Sequence, residues 1–358
     1  MKILVNALSG IGDSLMFSPA LRVLKENLPE ATIDFLVMYE SVKQLYEKNP
    51  FINYIYFIDF LRIPKIQSIK KILKIRSENY DYTINVYPSN RLEYNMLNFL
   101  LGRHSRISYT YTHSNIFRFE FLNNILIPEV KDKHNVLQNL EIVKRIIKKD
   151  DIIPDDMEIY LSENTENNAI NWFNHNNITA KYIIGLHPGS STLKNHINKR
   201  WAKDKFAQLG KILMKKYGAQ ILLFGNESGL NEEINALMGN QASIVKTDNF
   251  MDSMSILKKC NLFISNDTAF LHCSSAFKIP VVAIFGYTNY KELFPWNTKH
   301  GILRLPLDCS PCFYNSPKPA SCKWQGDETF KCLKDISVED VYNACQTLIE
   351  EIPDNSKP

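Results

Sequence analysis

Side chains able to do chemistry recur in this 358-residue chain where an apolar run ends in a turn. One such turn is the segment Ser265–His272, SNDTAFLH. A helix starting near Thr268 would present free backbone N–H groups, which bind phosphate oxygens. Asn266 or Asp267 is the predicted cap of this helix, with His272 about one turn further along, near the side of Thr268. The segment therefore predicts a diphosphate site, and the alternative is a capped core helix with an internally satisfied histidine.

A second turn follows the apolar run Ile3–Ala7 and contains small residues that let the backbone bend tightly, namely Ser9, Gly10 and Gly12. Asp13 falls in the first turn of the next helix, where the helix dipole favours an ionised carboxylate. Such a carboxylate can act as a general base toward a sugar hydroxyl, and the alternative is a helix-capping aspartate. Leu15 stands where the dinucleotide fingerprint needs a glycine, which argues against a nicotinamide dehydrogenase.

Two further turns carry groups that suit a nucleotide. In the loop His187–Ser191, the hydroxyls of Ser190 and Ser191 suit phosphate oxygens, and Lys199 could neutralise a diphosphate as a point charge. Glu227 follows another apolar run and could accept hydrogen bonds from a ribose. Taken alone, each of these turns also fits an ordinary strand-to-helix connection.

Four cysteines fall within 24 residues, namely Cys309, Cys312, Cys322 and Cys332. In a reducing cytoplasm such a group favours a metal over disulfides, and thiolates suit zinc or iron. A structural metal and four free thiols are the two interpretations that the spacing leaves open.

Basic residues are concentrated in the front half of the chain. Residues 1–150 hold 21 Lys and Arg against 15 Asp and Glu, whereas the remainder holds 21 against 23. This excess favours an anionic partner such as a phosphorylated lipid, a membrane surface or nucleic acid, although a solvated basic face fits as well. The segment Arg62–Arg76 alternates apolar and basic residues. It predicts an amphipathic helix that lies on an anionic membrane, faces an anionic acceptor, or packs its isoleucines on a sheet.

Alternating strands and helices must position these groups. Apolar runs predict strands at Ile3–Ala7, Ile33–Val37, Tyr82–Val86, Tyr182–Leu186, Gln220–Phe224, Leu262–Ser265 and Val281–Phe285. Helical spacing predicts helices at Asp13–Asn27, bent at Pro19, and at Ile66–Asn79, Lys203–Tyr217, Leu230–Met238, Met251–Lys259, Thr268–Phe277 and Val338–Glu351. This alternation predicts the α/β class with parallel sheets, whose ligands bind at the carboxyl ends of the strands.

The length fits two domains, and the polar stretch Asp150–Asn177 is the predicted boundary, giving domains of residues 1–160 and 161–358. Hydrophobic residues make up 45% and charged residues 22%, as in soluble globular proteins. No run reaches the ~18 apolar residues of a spanning helix, and the N-terminus lacks the features of a signal peptide. We therefore expect a cytoplasmic protein.

Together, the order and spacing of these motifs resemble glycosyltransferase family 9, the ADP-heptose:lipopolysaccharide heptosyltransferases. The resemblance is carried by ILVNALSGIGDSLMFSPALRVLKENLP, IIGLHPGSS, KRW, LLFGNE, SNDTAFLH, IPVVAIFG and CSPC. It implies a GT-B fold, with two Rossmann-like domains whose parallel sheets face an interdomain cleft. Residues 1–160 would bind the acceptor, and residues 161–358 would bind the nucleotide sugar and include the Cys-rich knuckle (309–332) and the C-terminal helix.

The resemblance also implies roles for single residues. Asp13 matches the proposed general base, supported by the loop of Ser9, Gly10 and Gly12. The implied donor-binding residues are Ser190, Ser191, Lys199, Glu227, Asp267, Thr268, Ala269, Phe270 and His272. The implied reaction is inverting transfer of a heptose from ADP-heptose to a lipopolysaccharide-core or related glycan, with no cofactor required for catalysis. Some relatives bind iron through the knuckle, which favours a structural zinc or iron ion at Cys309, Cys312, Cys322 and Cys332.

The chain departs from the family pattern at three places. The loop from His187 to Lys199 is longer than in the core heptosyltransferases, Tyr287 replaces a usual proline, and Ala269 stands where glycine is frequent. Another nucleotide sugar or acceptor, an epimerase of related fold and a non-catalytic sugar-nucleotide binder are therefore the alternatives. The expected partners are an ADP-sugar and an anionic glycolipid or glycan, with no nucleic acid. The enzyme would be cytoplasmic and peripheral at the inner-leaflet membrane surface.

Overall fold

The computed structural model describes residues 1–111, 118–314 and 318–352. Contacts between Cα atoms divide the chain into two compact units, the first containing Met1–Tyr160 and the second beginning at Leu161. Each unit is built on one parallel sheet of six strands in the described ranges. The predicted α/β class is therefore confirmed.

In the first unit the strands follow the order β3-β2-β1-β4-β5-β6. They are β1 (Lys2–Ala7), β2 (Thr32–Val37), β3 (Tyr54–Phe57), β4 (Tyr82–Asn85), β5 (Ser105–Thr110) and β6 (Ile125–Pro128). The helices are α1 (Ile11–Leu15), α2 (Ser18–Asn27), α3 (Glu40–Tyr46), α4 (Lys65–Ser77), α5 (Leu92–Leu101) and α6 (Asn135–Ile147), with a short 3₁₀ helix at Glu120–Leu122. The central strand β1 is buried from Ile3 onward, as expected for a parallel sheet covered on both faces.

In the second unit the order is β12-β11-β10-β7-β8-β9. The strands are β7 (Ile183–His187), β8 (Gln220–Leu223), β9 (Ser243–Ile244), β10 (Leu262–Asn266), β11 (Val281–Ile284) and β12 (His300–Leu303). The helices are α7 (Glu163–His175), α8 (Lys203–Tyr217), α9 (Ser228–Leu237), α10 (Phe250–Leu257), α11 (Ala269–Ala276), α12 (Tyr290–Leu293), α13 (Lys331–Lys334) and α14 (Val338–Glu350). Short 3₁₀ segments lie at Leu193–Lys199 and Gly326–Glu328.

The predicted helix Asp13–Asn27 is two helices. The first, α1, ends at Leu15, and α2 begins at Ser18 with Pro19 in its first turn. A proline is well tolerated there because the N–H that it lacks has no acceptor within the helix. Pro19 therefore lies at the start of a second helix instead of bending a continuous one, and this part of the prediction is wrong.

The basic helix α4 packs only part of its apolar surface. Ile72 and Ile75 are buried against the first unit, whereas Ile66, Ile69 and Leu73 are 70%, 54% and 58% exposed. The predicted amphipathic helix is confirmed, but its isoleucines divide between two faces. Within the described part of the chain, no helix combines the length and the apolar character needed to cross a membrane.

Candidate functional site

Strand β10 leads into helix α11 through a turn that holds Asp267 and Thr268. The Asp267 side chain is only 5% exposed, and its Oδ2 accepts a hydrogen bond from Lys199 Nζ at 2.6 Å. Burial alone would raise the pKa of Asp267. The charge and hydrogen bond of Lys199, together with a hydrogen bond from Thr288, hold it below its usual value. A nearly buried ion pair therefore lies at the start of α11.

His272 lies in the first turn of α11 and is 3% exposed. Its burial lowers the pKa to about 4, since the opposing charge of Asp267 is partly offset by Lys199. The imidazole is consequently neutral at neutral pH. Among the described residues, its Nδ1 has no hydrogen-bond partner. An orphaned buried polar atom costs about 1–3 kcal/mol, so this atom suits a ligand contact.

Thr268 is the N-cap residue of α11, but its side chain makes no capping bond. Its Oγ1 lies 2.8 Å from His187 Nδ1 and 3.2 Å from Ser265 Oγ. The ring of Phe270 stacks on His187 with centroids 4.3 Å apart. Burial and the charge of Arg200 lower the pKa of His187 to about 3. The start of α11 is thus fixed to the end of β7 through a neutral imidazole.

Asn266 is fully buried and connects two loops. Its Oδ1 accepts a hydrogen bond from the backbone N–H of Trp201 at 3.0 Å. Its Nδ2 donates to the carbonyls of Pro188 at 2.9 Å and Gly189 at 3.2 Å. The predicted capping of α11 by Asn266 or Asp267 is therefore wrong, because the first side chain bonds to other loops and the second pairs with the lysine.

The carboxylate of Glu227 lies against the same loops. A Cβ placed on Gly189 would lie 2.4 Å from this carboxyl group, and one on Gly225 would lie 2.6 Å from its Oε2. A side chain at Gly189 would have to displace this carboxylate, whereas Gly225 has a φ of +109°, which favours glycine. One Arg200 Nη lies 3.5 Å from Glu227 Oε1, and Arg200 also donates to the hydroxyl and carbonyl of Ser190 at 3.2 and 2.8 Å.

We call this connected set of loops the β7–β10 loop cluster; its predicted members are Ser190, Lys199, Glu227, Asp267, Thr268 and His272. Ser191 is exposed and accepts a hydrogen bond from the Leu193 N–H at 3.2 Å. Ala269 is half-buried as the first residue of α11. Four further members were not predicted as site residues, namely His187, Arg200, Asn266 and Thr288. Their positions at strand ends, beside Lys199 or after β11 are the signals that could have found them.

Asp13 belongs to the first unit, where it is half-buried at the third position of α1. Gly10 is the N-cap residue of this helix, so Asp13 is not its cap. The Ser9 hydroxyl donates to the Pro88 carbonyl at 3.1 Å, and the Tyr94 hydroxyl donates to the Leu8 carbonyl at 3.2 Å. Burial raises the pKa of Tyr94 to about 12, and the negative charge of Asp13 adds to this effect. The Asp13 carboxylate therefore lies near Tyr94, after a loop that hydrogen bonds hold in place.

The four cysteines of the knuckle line a cavity of about 270 Å³ together with Tyr287. All are free thiols, and burial raises the pKa of Cys332 to about 12 and that of Cys312 above its usual value. Thiols that hold one metal ion must be directed at one point. No group of three or more His, Cys, Asp or Glu side chains in the described ranges is placed to hold a metal ion. The predicted structural zinc or iron is therefore not supported.

Two parallel six-stranded sheets with helices are the architecture of GT-B sugar transferases. Over 98% of this chain and 97% of the other, the fold superposes on a glycosyltransferase family 9 structure from Veillonella parvula, with a TM-score of 0.77 and 22% identity. It also matches Escherichia coli heptosyltransferase WaaC with ADP-2-deoxy-2-fluoro heptose, over 98% of this chain and 99% of the other. There the TM-score is 0.68 and the identity 17%. The predicted GT-B fold is confirmed.

The sequence model described as glycosyltransferase family 9 (heptosyltransferase) matches residues 68–321, which is more than half of the chain. The chain belongs to this family and is a glycosyltransferase. One relative, lipooligosaccharide heptosyltransferase 2 of Campylobacter jejuni, is 25% identical over 98% of this chain and 99% of its own length. The family resemblance in the sequence motifs is thus confirmed.

Proposed function

We propose that this glycosyltransferase moves a heptose from ADP-heptose to an anionic lipopolysaccharide-core glycolipid, and that it works peripherally at the inner-leaflet membrane surface. The names of its relatives support the sugar and the acceptor class, and a structural neighbour with an ADP-linked heptose analogue supports the donor. The observation that carries the donor site is the Lys199–Asp267 ion pair at the start of α11, beside the unpartnered Nδ1 of His272.

In this proposal Lys199 supplies the positive charge for the diphosphate. Asp267 is a positioning residue, because a carboxylate that is kept ionised would repel phosphate but holds the ammonium group in place. The first N–H groups of α11, at Ala269 and Phe270, have no acceptor within the helix and point toward its N-terminal end. His272 can donate from Nδ1 in the appropriate tautomer.

The remaining members of the β7–β10 loop cluster fix the nucleotide. Glu227 would accept hydrogen bonds from the ribose hydroxyls, with Arg200 holding its carboxylate. The Ser190 hydroxyl donates to the His196 carbonyl at 2.8 Å and accepts from Arg200, so its main part is to shape the loop. Ser191, exposed at the loop surface, is the hydroxyl more open to a phosphate oxygen.

Asp13 acts as the general base in the proposed reaction. It takes the proton of an acceptor hydroxyl as that oxygen forms a bond to the anomeric carbon. The bond between the anomeric carbon and the diphosphate oxygen breaks, and the electron pair leaves with ADP, so the anomeric centre is inverted. Lys199 and the N–H groups of α11 stabilise the negative charge on the departing diphosphate.

The test is transfer by the Asp13→Ala variant, with Glu30→Ala as the matched control because Glu30 is an exposed carboxylate of the same unit. General-base catalysis typically contributes about 10²–10⁴-fold, so turnover should fall by that factor while ADP affinity stays unchanged. Normal turnover in Asp13→Ala would refute the assignment of the base. Conversion of the sugar nucleotide without any acceptor would instead identify an epimerase.

A further inference from the structure

An exposed apolar stripe follows one side of α4. Ile66, Ile69 and Leu73 are separated by three and four residues, so they lie on one side of the helix and are all more than half exposed. The opposite side holds the buried residues Ile72 and Ile75. The stripe is therefore apolar surface that the fold of the first unit leaves uncovered.

Helix α5 extends this surface. Its residues Met96, Phe99 and Leu100 lie on one side of the helix at 42%, 44% and 46% exposure. The two helices pack against each other, and Arg76 at the end of α4 donates hydrogen bonds to the carbonyls of Phe99 and Leu100 at 3.3 and 2.6 Å. We call the six exposed side chains of α4 and α5 the α4–α5 face.

Basic residues surround the apolar stripe. Within its span of 13 residues α4 contains no acidic residue and five cations, namely Lys65, Lys70, Lys71, Lys74 and Arg76. By helical geometry Lys70 and Lys74 flank the stripe on one side, and Lys65 and Arg76 on the other. On α5, Glu93 adds one negative charge, and Arg106 lies over the exposed ring of Phe99 at 5.4 Å.

We propose that the α4–α5 face docks onto the surface of an anionic phospholipid bilayer. Exposed apolar side chains can enter the boundary between headgroups and acyl chains while flanking lysines contact anionic headgroups, which is the arrangement of interfacial helices. A second copy of the chain fits this face less well, because a symmetric contact would place the cations of one α4 against those of the other. The docking gives the proposed glycolipid acceptor its place beside the first unit, and in that respect it rests on the proposed function.

The test is sedimentation of the full chain with vesicles of phosphatidylcholine, with and without phosphatidylglycerol. Binding should require the anionic lipid. Each lysine near such a surface contributes about fivefold, so Lys70→Gln/Lys74→Gln should weaken partitioning roughly 30-fold. Leu73→Ala/Phe99→Ala should weaken it by about tenfold or more through lost apolar contact. Lys70 and Lys74 are exposed, so their replacement should leave the unfolding temperature unchanged. Leu73 and Phe99 are 58% and 44% exposed, so their replacement should lower it modestly, and vesicle binding is measured well below the lowered temperature.

Two variants serve as matched controls. Lys215→Gln/Lys216→Gln makes the same change of charge on exposed positions of α8, and Ile153→Ala removes an apolar side chain that is 91% exposed. Both should bind vesicles like the unaltered protein. Equal binding by the α4–α5 variants and these controls, or no binding to anionic vesicles, would overturn the proposal. So would a dimer in solution that Leu73→Ala/Phe99→Ala converts to a monomer.

Transfer to a delipidated, soluble acceptor separates this proposal from the proposed function. It should proceed at the normal rate in the α4–α5 variants. Loss of vesicle binding with normal soluble transfer leaves the enzyme assignment intact, whereas normal vesicle binding without any heptosyl transfer would count against the function alone.

Discussion

Replacement of Lys199 by methionine removes the positive partner of Asp267 while keeping a side chain of similar length. Asp267 is then a nearly buried carboxylate without its cation, since only 5% of the side chain is exposed. Breaking a buried ion pair in this way typically costs about 3–5 kcal/mol. Lys199 itself retains 17% exposure, so we expect a loss near the lower limit, about 3 kcal/mol at neutral pH.

The stability lost in Lys199→Met should depend on pH in one direction. In the unaltered protein the pKa of Asp267 lies below its usual value. The ion pair therefore stabilises the fold fully when the pH is above that usual pKa, and this stabilisation is lost as the pH falls through the depressed pKa. In Lys199→Met, burial is opposed mainly by the hydrogen bond from Thr288, so the pKa of Asp267 rises relative to the unaltered protein. The difference in stability between the two proteins should therefore shrink as the pH falls toward about 4.

Urea denaturation measures the free energy of unfolding, and titration with ADP measures the nucleotide affinity. The double variant Lys199→Met/Asp267→Asn removes both charges, so it should recover most of the lost stability while ADP affinity remains low. Lys203→Met is the matched control, because Lys203 pairs with Glu233 at the surface and such pairs contribute about 0–1 kcal/mol. A Lys199→Met protein within about 0.5 kcal/mol of the unaltered one, or additive losses in the double variant, would refute the reasoning.

Two further predictions concern the same loops. In Gly189→Ala the new Cβ would lie 2.4 Å from the Glu227 carboxyl group and should push it away. ADP affinity in calorimetric titration should fall by about tenfold, while the free energy of unfolding should fall by less than ~1 kcal/mol. Gly229→Ala is the control, because a Cβ there meets nothing within 4 Å. Acidification should destabilise the protein, because burial lowers the pKa of His187 to about 3 and that of His272 to about 4 while the unfolded chain takes up these protons near 6.5. Between about pH 6.5 and 5 each histidine should cost about 1.6 kcal/mol in denaturant titrations, and a flat profile there would contradict these burial effects.

Strands buried on both faces could be predicted from the sequence. Strands β1, β10 and β11 are continuous apolar runs, since helices cover both sides of each parallel sheet. The turns that follow β1 and β10 were located for the same reason, because the end of each apolar run marks the end of the strand. That these turns bind a ligand stays a prediction. Strand β5 was missed because its sequence SRISYT has few apolar residues, and its central residues are buried only through their neighbours.

Contacts between side chains that are distant along the chain could not be predicted from the sequence. Periodicity showed that α4 is amphipathic, but not that Ile72 faces the fold while Ile69 faces solvent. Spacing brought four cysteines into one segment, but could not tell that they line a cavity without a metal-binding arrangement among the described residues. Asn266 was assigned to a cap because local bonds are the easiest to foresee, whereas its real partners lie in loops that are distant along the chain.

The β7–β10 loop cluster is the proposed site of an ADP-linked donor. Thermal unfolding in the presence of ADP, UDP and GDP tests this directly, because a ligand at about 100 times its Kd stabilises the fold by about 2.7 kcal/mol. We predict protection by ADP above the other two nucleotides, and its loss in Lys199→Met/Asp267→Asn. Equal protection by all three nucleotides, or protection by ADP that survives in that variant, would contradict the assignment.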